Sequence, residues 1–171
     1  SDHETYGNGF RGFVDVSMPP LGLDALNFTL QVGTAPANFR YWMFDASVKL
    51  SNGLPCGPGV AIYGLGGGGW YNMTREGPEN NENQQGVNYN DMVNVDGEGD
   101  AGPPGETQNG ITYTPSEGTI GFRANVIIGL VGNATAFNAD VGLVVQLNTY
   151  YGLDFIEFNG KAYLMQSMDN R

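Results

Sequence analysis

The chain has 171 residues, a net charge of -11 and one cysteine, which suits a single domain with its own core. Such acidity repels phosphate backbones and anionic lipid headgroups, which excludes nucleic acid as a partner. Cys56 alone excludes an internal disulfide or a thiolate metal cluster, and no apolar run approaches the roughly 20 residues of a spanning helix.

Residues 1–9 are polar, carry the only histidine, His3, and read as a loose N-terminal tail. From Phe10 to Met18, Phe10, Gly12, Val14, Val16 and Met18 alternate with Arg11, Phe13, Asp15 and Ser17, until Pro19-Pro20 removes two ladder donors. Leu26, Phe28, Leu30 and Val32 alternate with Asn27, Thr29, Gln31 and Gly33 in a second strand. The third sets Trp42, Phe44, Ala46, Val48 and Leu50 against Tyr41, Met43, Asp45, Ser47 and Lys49. Period two buries one face and wets the other, so the apolar stripe is expected to be the core side.

Ser51 to Gly59, with Asn52-Gly53, Pro55 and Pro58, reads as a turn. Val60 to Thr74 follows, and its glycine run Gly64 to Gly69 lacks the lysine of a phosphate loop and has no helix pattern after it. Glycines inside a strand instead mark a bend, here around a barrel corner, or the close approach of large rings such as Trp70 and Tyr71.

Residues 75–110 form a long acidic insertion, with eight carboxylates against Arg75. Asp96, Glu98 and Asp100 stand at i, i+2 and i+4, hard oxygen ligands at a spacing that suits calcium. The glutamate that would complete an EF-hand loop is replaced by Thr107, so a solvated acidic loop is the plainer reading. No other cofactor is implied.

After a short extended piece, Ile111 to Pro115, a turn at Glu117-Gly118 leads into Ile120, Phe122, Ala124, Val126, Ile128 and Leu130. Ala136 to Asn148 puts Phe137, Ala139, Val141, Leu143, Val145 and Leu147 on one side and Asn138, Asp140, Gly142, Val144, Gln146 and Asn148 on the other. Asn159-Gly160 suits a type I′ turn and predicts a hairpin of Leu153–Phe158 with Lys161–Gln166. The expectation is one all-β domain over 1–171: an antiparallel meander of about eight long strands forming a barrel or sandwich, cut from a longer chain.

Catalytic chemistry is poorly supplied, because His3 lies in the tail and a hydrolytic triad needs an imidazole. A pair of carboxylates roughly 5–9 Å apart could cleave a glycoside, and Asp15, Asp45, Asp140, Asp154 and Glu157 all fall on expected strands; yet Asp154 and Glu157 stand on opposite faces of one strand, and Asp45 and Asp140 read as wet-face residues of amphipathic strands. The expectation is that the chain is not an enzyme. Trp42, Trp70, Tyr71, Tyr150 and Tyr151 are candidates for a sugar-stacking platform or a membrane-interface girdle, against simple core filling.

At Tyr6–Gly12, Phe39–Ala46, Pro58–Gly68, Ile120–Ala124 and Ala136–Asp140 the sequence resembles a segment of very long surface or secreted proteins of Bacteroidetes-type bacteria. That resemblance implies a β-rich block of a large extracellular protein, and no catalytic residue comes with it. The leading expectation is therefore a structural or adhesive module at the cell surface, associating with the rest of a longer chain or with its own copies through edge strands. An outer-membrane barrel and a carbohydrate-binding or glycoside-cleaving sandwich are the alternatives. Against the membrane barrel, the faces expected to be wet carry core-sized residues such as Ile127 and Val144.

Overall fold

The computed structural model describes residues 2–76, 103–107, 111–134 and 136–164. After a short helix α1 (Asp2–Tyr6) come β1 (Asn8–Met18), β2 (Leu23–Thr34), β3 (Arg40–Gly57), β4 (Val60–Glu76), β5 (Thr112–Leu130), β6 (Phe137–Asn148) and β7 (Gly152–Leu164). All seven lie in one sheet in chain order, and each neighbouring pair is antiparallel. The all-β meander stands as read, with seven strands among the described residues in place of about eight. It is one sheet, neither a sandwich nor a closed barrel: among the described residues β1 and β7 are not paired.

The expected hairpin at Asn159-Gly160 is absent. Both residues sit inside β7, opposite Gly142 and Val141 of β6. A type I′ turn needs flanks that pair with each other, and here β6 offers the whole of β7 a partner, so ladder pairing overrides the local turn preference. Asn52-Gly53 is likewise absorbed into β3, with Gly53 at φ 64 in the irregular stretch between Lys49 and Leu54. Gly118, also expected to turn, stays within β5 at φ 83, its N–H donating to Asn72 Oδ1 at 2.8 Å. The chain truly reverses at Gly22, Gly59 and Gly132, all at positive φ, where glycine meets no Cβ penalty.

In a meander the connections alternate between two rims. The far rim holds three short turns, between β1 and β2, β3 and β4, and β5 and β6. The near rim holds α1, the β2–β3 and β6–β7 turns and the long β4–β5 connection. Residues 2–9, expected to be a loose tail, instead form α1 and the start of β1. The Tyr6 hydroxyl donates to Tyr113 O at 3.0 Å, and Tyr41 donates to Tyr6 O at 2.8 Å.

The larger correction concerns which face is enclosed. Tyr41, Met43, Asp45 and Ser47 of β3 are buried, whereas Trp42 and Phe44 are exposed. The same inversion holds on β6, where Asn138, Val144 and Gln146 are buried and Leu147 is exposed. Asp45, expected on a wet face, is 3 % exposed. Alternation gives two faces but not their sides; a single curled sheet with no helix layer covers only its concave face, and here that face is the polar one.

Glycine makes room inside it. A Cβ on Gly121 would fall inside the Trp70 ring and crowd Val145 O. Gly121→Ala is therefore expected to cost at least the 1–3 kcal/mol typical of overpacking, read as a lowered unfolding midpoint, while Gly57→Ala, with open space around it, should change little.

Candidate functional site

The cross-strand register assigns every strand residue to a row and a face. Outward rows run Phe10, Val32, Trp42, Tyr71, Ile120, Leu147, Leu153; then Gly12, Leu30, Phe44, Gly69, Phe122, Val145, Ile156; then Val14, Phe28, Ala46, Gly67, Ala124, Leu143, Phe158; then Val16, Leu26, Val48, Leu65, Val126, Val141, Gly160. None of these residues is charged. Further rows toward the far rim add Met18, Leu23, Leu50, Ile62, Ile128, Ala139 and Ala162. Phe10 is 64 % exposed and Phe158 71 %. Beyond the first row, at the near rim, the outward residues turn polar: Asn8, Thr34 and Arg40 share a row.

The inward rows are of opposite character. Arg11, Gln31, Met43, Trp70, Gly121, Gln146 and Phe155 form one; Phe13, Thr29, Asp45, Gly68, Arg123, Val144 and Glu157 the next; Asp15, Asn27, Ser47, Gly66, Asn125, Gly142 and Asn159 the third. At their centre Arg123 grips Asp45 with both arms, Nε to Oδ2 and Nη2 to Oδ1, each at 2.6 Å. Gly68 lies between the two in the same row, and a Cβ there would reach Asp45 Oδ2. Tyr113 donates to Asp45 Oδ2 at 3.3 Å, and Arg123 Nη1 to Asn125 Oδ1 at 3.1 Å. The bidentate fork satisfies charges that burial would otherwise penalise heavily.

Toward the near rim the interior is filled. Tyr41, Met43, Trp70, Met73, Ile111, Tyr113, Ala35 and Val144 form the apolar cluster, with Tyr6 packed on it. Residues 103–107 turn inward against it: Gly105 N donates to Gln31 Oε1 at 2.8 Å, Tyr113 N to Gly105 O at 2.8 Å, and Arg11 Nη2 to Glu106 O. α1 and this segment together make an inner plug. Farther along, a cavity is lined by the polar side chains of Arg75, Asn125, Asp140, Glu157 and Lys161 together with apolar residues that include Ile127 and Val144.

The aromatic candidates do not converge. Trp42 and Tyr71 are stacked neighbours on the outward face, ring centres 6.4 Å apart, and Phe44 continues the stack at 6.1 Å. Trp70 points inward, fully buried, its Nε1 donating to Gln146 Oε1 at 3.2 Å. Tyr150 and Tyr151 are exposed in the β6–β7 turn at the near rim. Four of the five thus ring the near rim from outside, and the fifth is core. Asp96, Glu98 and Asp100 lie outside the described residues. Of the strand carboxylates, Asp45 is committed to Arg123, Asp154 accepts from Gln146 Nε2 at 2.7 Å, and Asp140 and Glu157 line the cavity.

Arg123 and Tyr113 escaped the sequence reading because nothing local marks a partner 78 or 68 residues away. Two signals were present: a lone arginine among apolar strand residues, and a glycine run on the strand between the partners. No protein-family model, curated protein or solved structure matches this chain, so its role has to be read from the two faces of the sheet.

Proposed function

We propose that this domain is a membrane-embedded β-sheet of the outer-membrane type, its polar face turned to a filled lumen and its apolar face to lipid. One observation carries the reading. Every strand presents an uncharged outward stretch nine to twelve residues long, from Phe10–Met18 on β1 to Leu153–Leu164 on β7, against the roughly 9–11 residues a tilted strand needs to cross a bilayer. Water-exposed proteins rarely carry contiguous apolar patches beyond a few hundred Å²; this one spans seven strands. Trp42, Tyr71, Tyr150 and Tyr151 at the near rim suit an interfacial girdle. Such a position is in keeping with the surface-protein resemblance of the sequence motifs. A filled lumen points to an anchoring or structural role rather than to a wide pore.

The chain's two tryptophans test this directly, since Trp42 faces outward and Trp70 inward. On folding into vesicles, lipids brominated along their chains should quench Trp42 and spare Trp70. Trp42→Phe should abolish most of the quenching, and Trp70→Phe should leave it. A chain that folds in buffer and is quenched in neither variant is not embedded. A second reading, a structural or adhesive module pairing through its edges outside the membrane, is favoured by the two strand edges, of β1 and β7, left unpaired among the described residues, and that result would support it.

A further inference from the structure

We infer that the sheet is completed by one additional β-strand, seated between β1 and β7 and antiparallel to both. The inference shares the inside–outside assignment of the proposed function but does not require lipid. Among the described residues, seven antiparallel strands in order leave β1 and β7 running the same way, so joining them directly would make a parallel pair in a sheet whose six pairings are all antiparallel. Two whole copies arranged about a common barrel axis meet the same obstacle, since β7 of one would lie parallel to β1 of the other. A two-fold axis across the sheet would give antiparallel edges, but it would turn one copy over and set the two near rims on opposite sides. One strand running against both edges satisfies them without inversion.

Its chemistry follows from its neighbours. Both edges keep the alternation of the interior strands: Phe10, Val14 and Met18 outward and Arg11, Asp15 and Ser17 inward on β1; Ile156, Phe158 and Leu164 outward and Glu157, Asn159 and Lys161 inward on β7. The occupant is therefore an extended segment of about eleven residues, the length of β1, apolar at every second position and polar between. Lys161 Nζ is out of solvent without a hydrogen-bond partner among the described residues, even with Asp140 as its cross-strand neighbour. An inward carboxylate on the added strand beside Lys161 would supply the missing acceptor.

Amide hydrogen exchange on the full chain in detergent micelles reads this out, with an eleven-residue peptide alternating valine and leucine with serine and threonine, one glutamate placed to face Lys161. In the monomer alone, the alternate amides of β1 and β7 that point away from β2 and β6 should exchange nearly as fast as in an open chain. One equivalent of the peptide should slow both sets at least tenfold, a scrambled peptide neither, and Lys161→Met should weaken the effect of the glutamate-bearing peptide alone. Edges already protected in the monomer, protection that grows only with protein concentration, or protection of one edge without the other would each overturn the inference. None of these results bears on the tryptophan quenching, so the two readings fail separately.

Discussion

Ala124→Arg should cost about 2–4 kcal/mol of folding stability in a lipid bilayer and no more than about 0.5 kcal/mol in water. Ala124 is exposed and sits in the third outward row, between Gly67 and Leu143. The substitution therefore removes no packing and fills no cavity. What changes is the medium around one guanidinium. The native chain places its own first outward charge on the near-rim side at Arg40, one row beyond Trp42, where an interfacial position is cheap. Denaturant unfolding of the variant and the parent, in vesicles, gives the number. A difference near zero there would mean that this face meets water, and the bilayer placement would fall with it.

Removing Asp45 should be still more damaging. Asp45→Ala leaves Arg123, whose side chain is 3 % exposed, without its bidentate partner, and breaking a buried pair from one side typically costs about 3–5 kcal/mol. Tyr113 loses its acceptor as well. Replacing both charges together, Asp45→Leu with Arg123→Met, should restore most of that loss, because the penalty comes from the stranded charge more than from the missing attraction. Equilibrium unfolding of the single and double variants checks both. If Asp45→Ala costs less than about 1 kcal/mol, the value for solvent-exposed pairs, water reaches this pair and the enclosed face is wetter than its packing implies.

Most of the architecture was legible because alternation is a property of residues within one strand. Leu26 to Val32 and Phe137 to Leu147 declare their strands without any knowledge of neighbours. Which face is enclosed was not legible, because Trp42, Phe44 and Phe122 make as good a core in water as a surface in lipid. The polar side held the better evidence: Asp45 and Arg123 on different strands, with Gly68 between them, form a pair that only an enclosed face rewards. Ile127 and Val144, which would count against a membrane barrel on a wet face, are buried on the enclosed face. The Asn159-Gly160 error had a different origin, since turn chemistry states what a dipeptide permits, and a long partner strand decides whether it is used.

The long β4–β5 connection sets an order of assembly. Among the described strands five of the six connections are short, while 35 residues (77–111) separate β4 from β5. Closing that loop costs roughly 2 kcal/mol more entropy than closing a tight turn, so β1–β4 and β5–β7 are poised to form first as two separate hairpin stacks. Docking them requires a choice among registers that differ by two residues and keep every side chain on its proper face. Only the native one brings Arg123 of the second stack across Gly68 onto Asp45 of the first. The buried ion pair thus acts as a key that rejects misregistered docking, and the seating of Gly105 against Tyr6 and Tyr113 then closes the interior behind it.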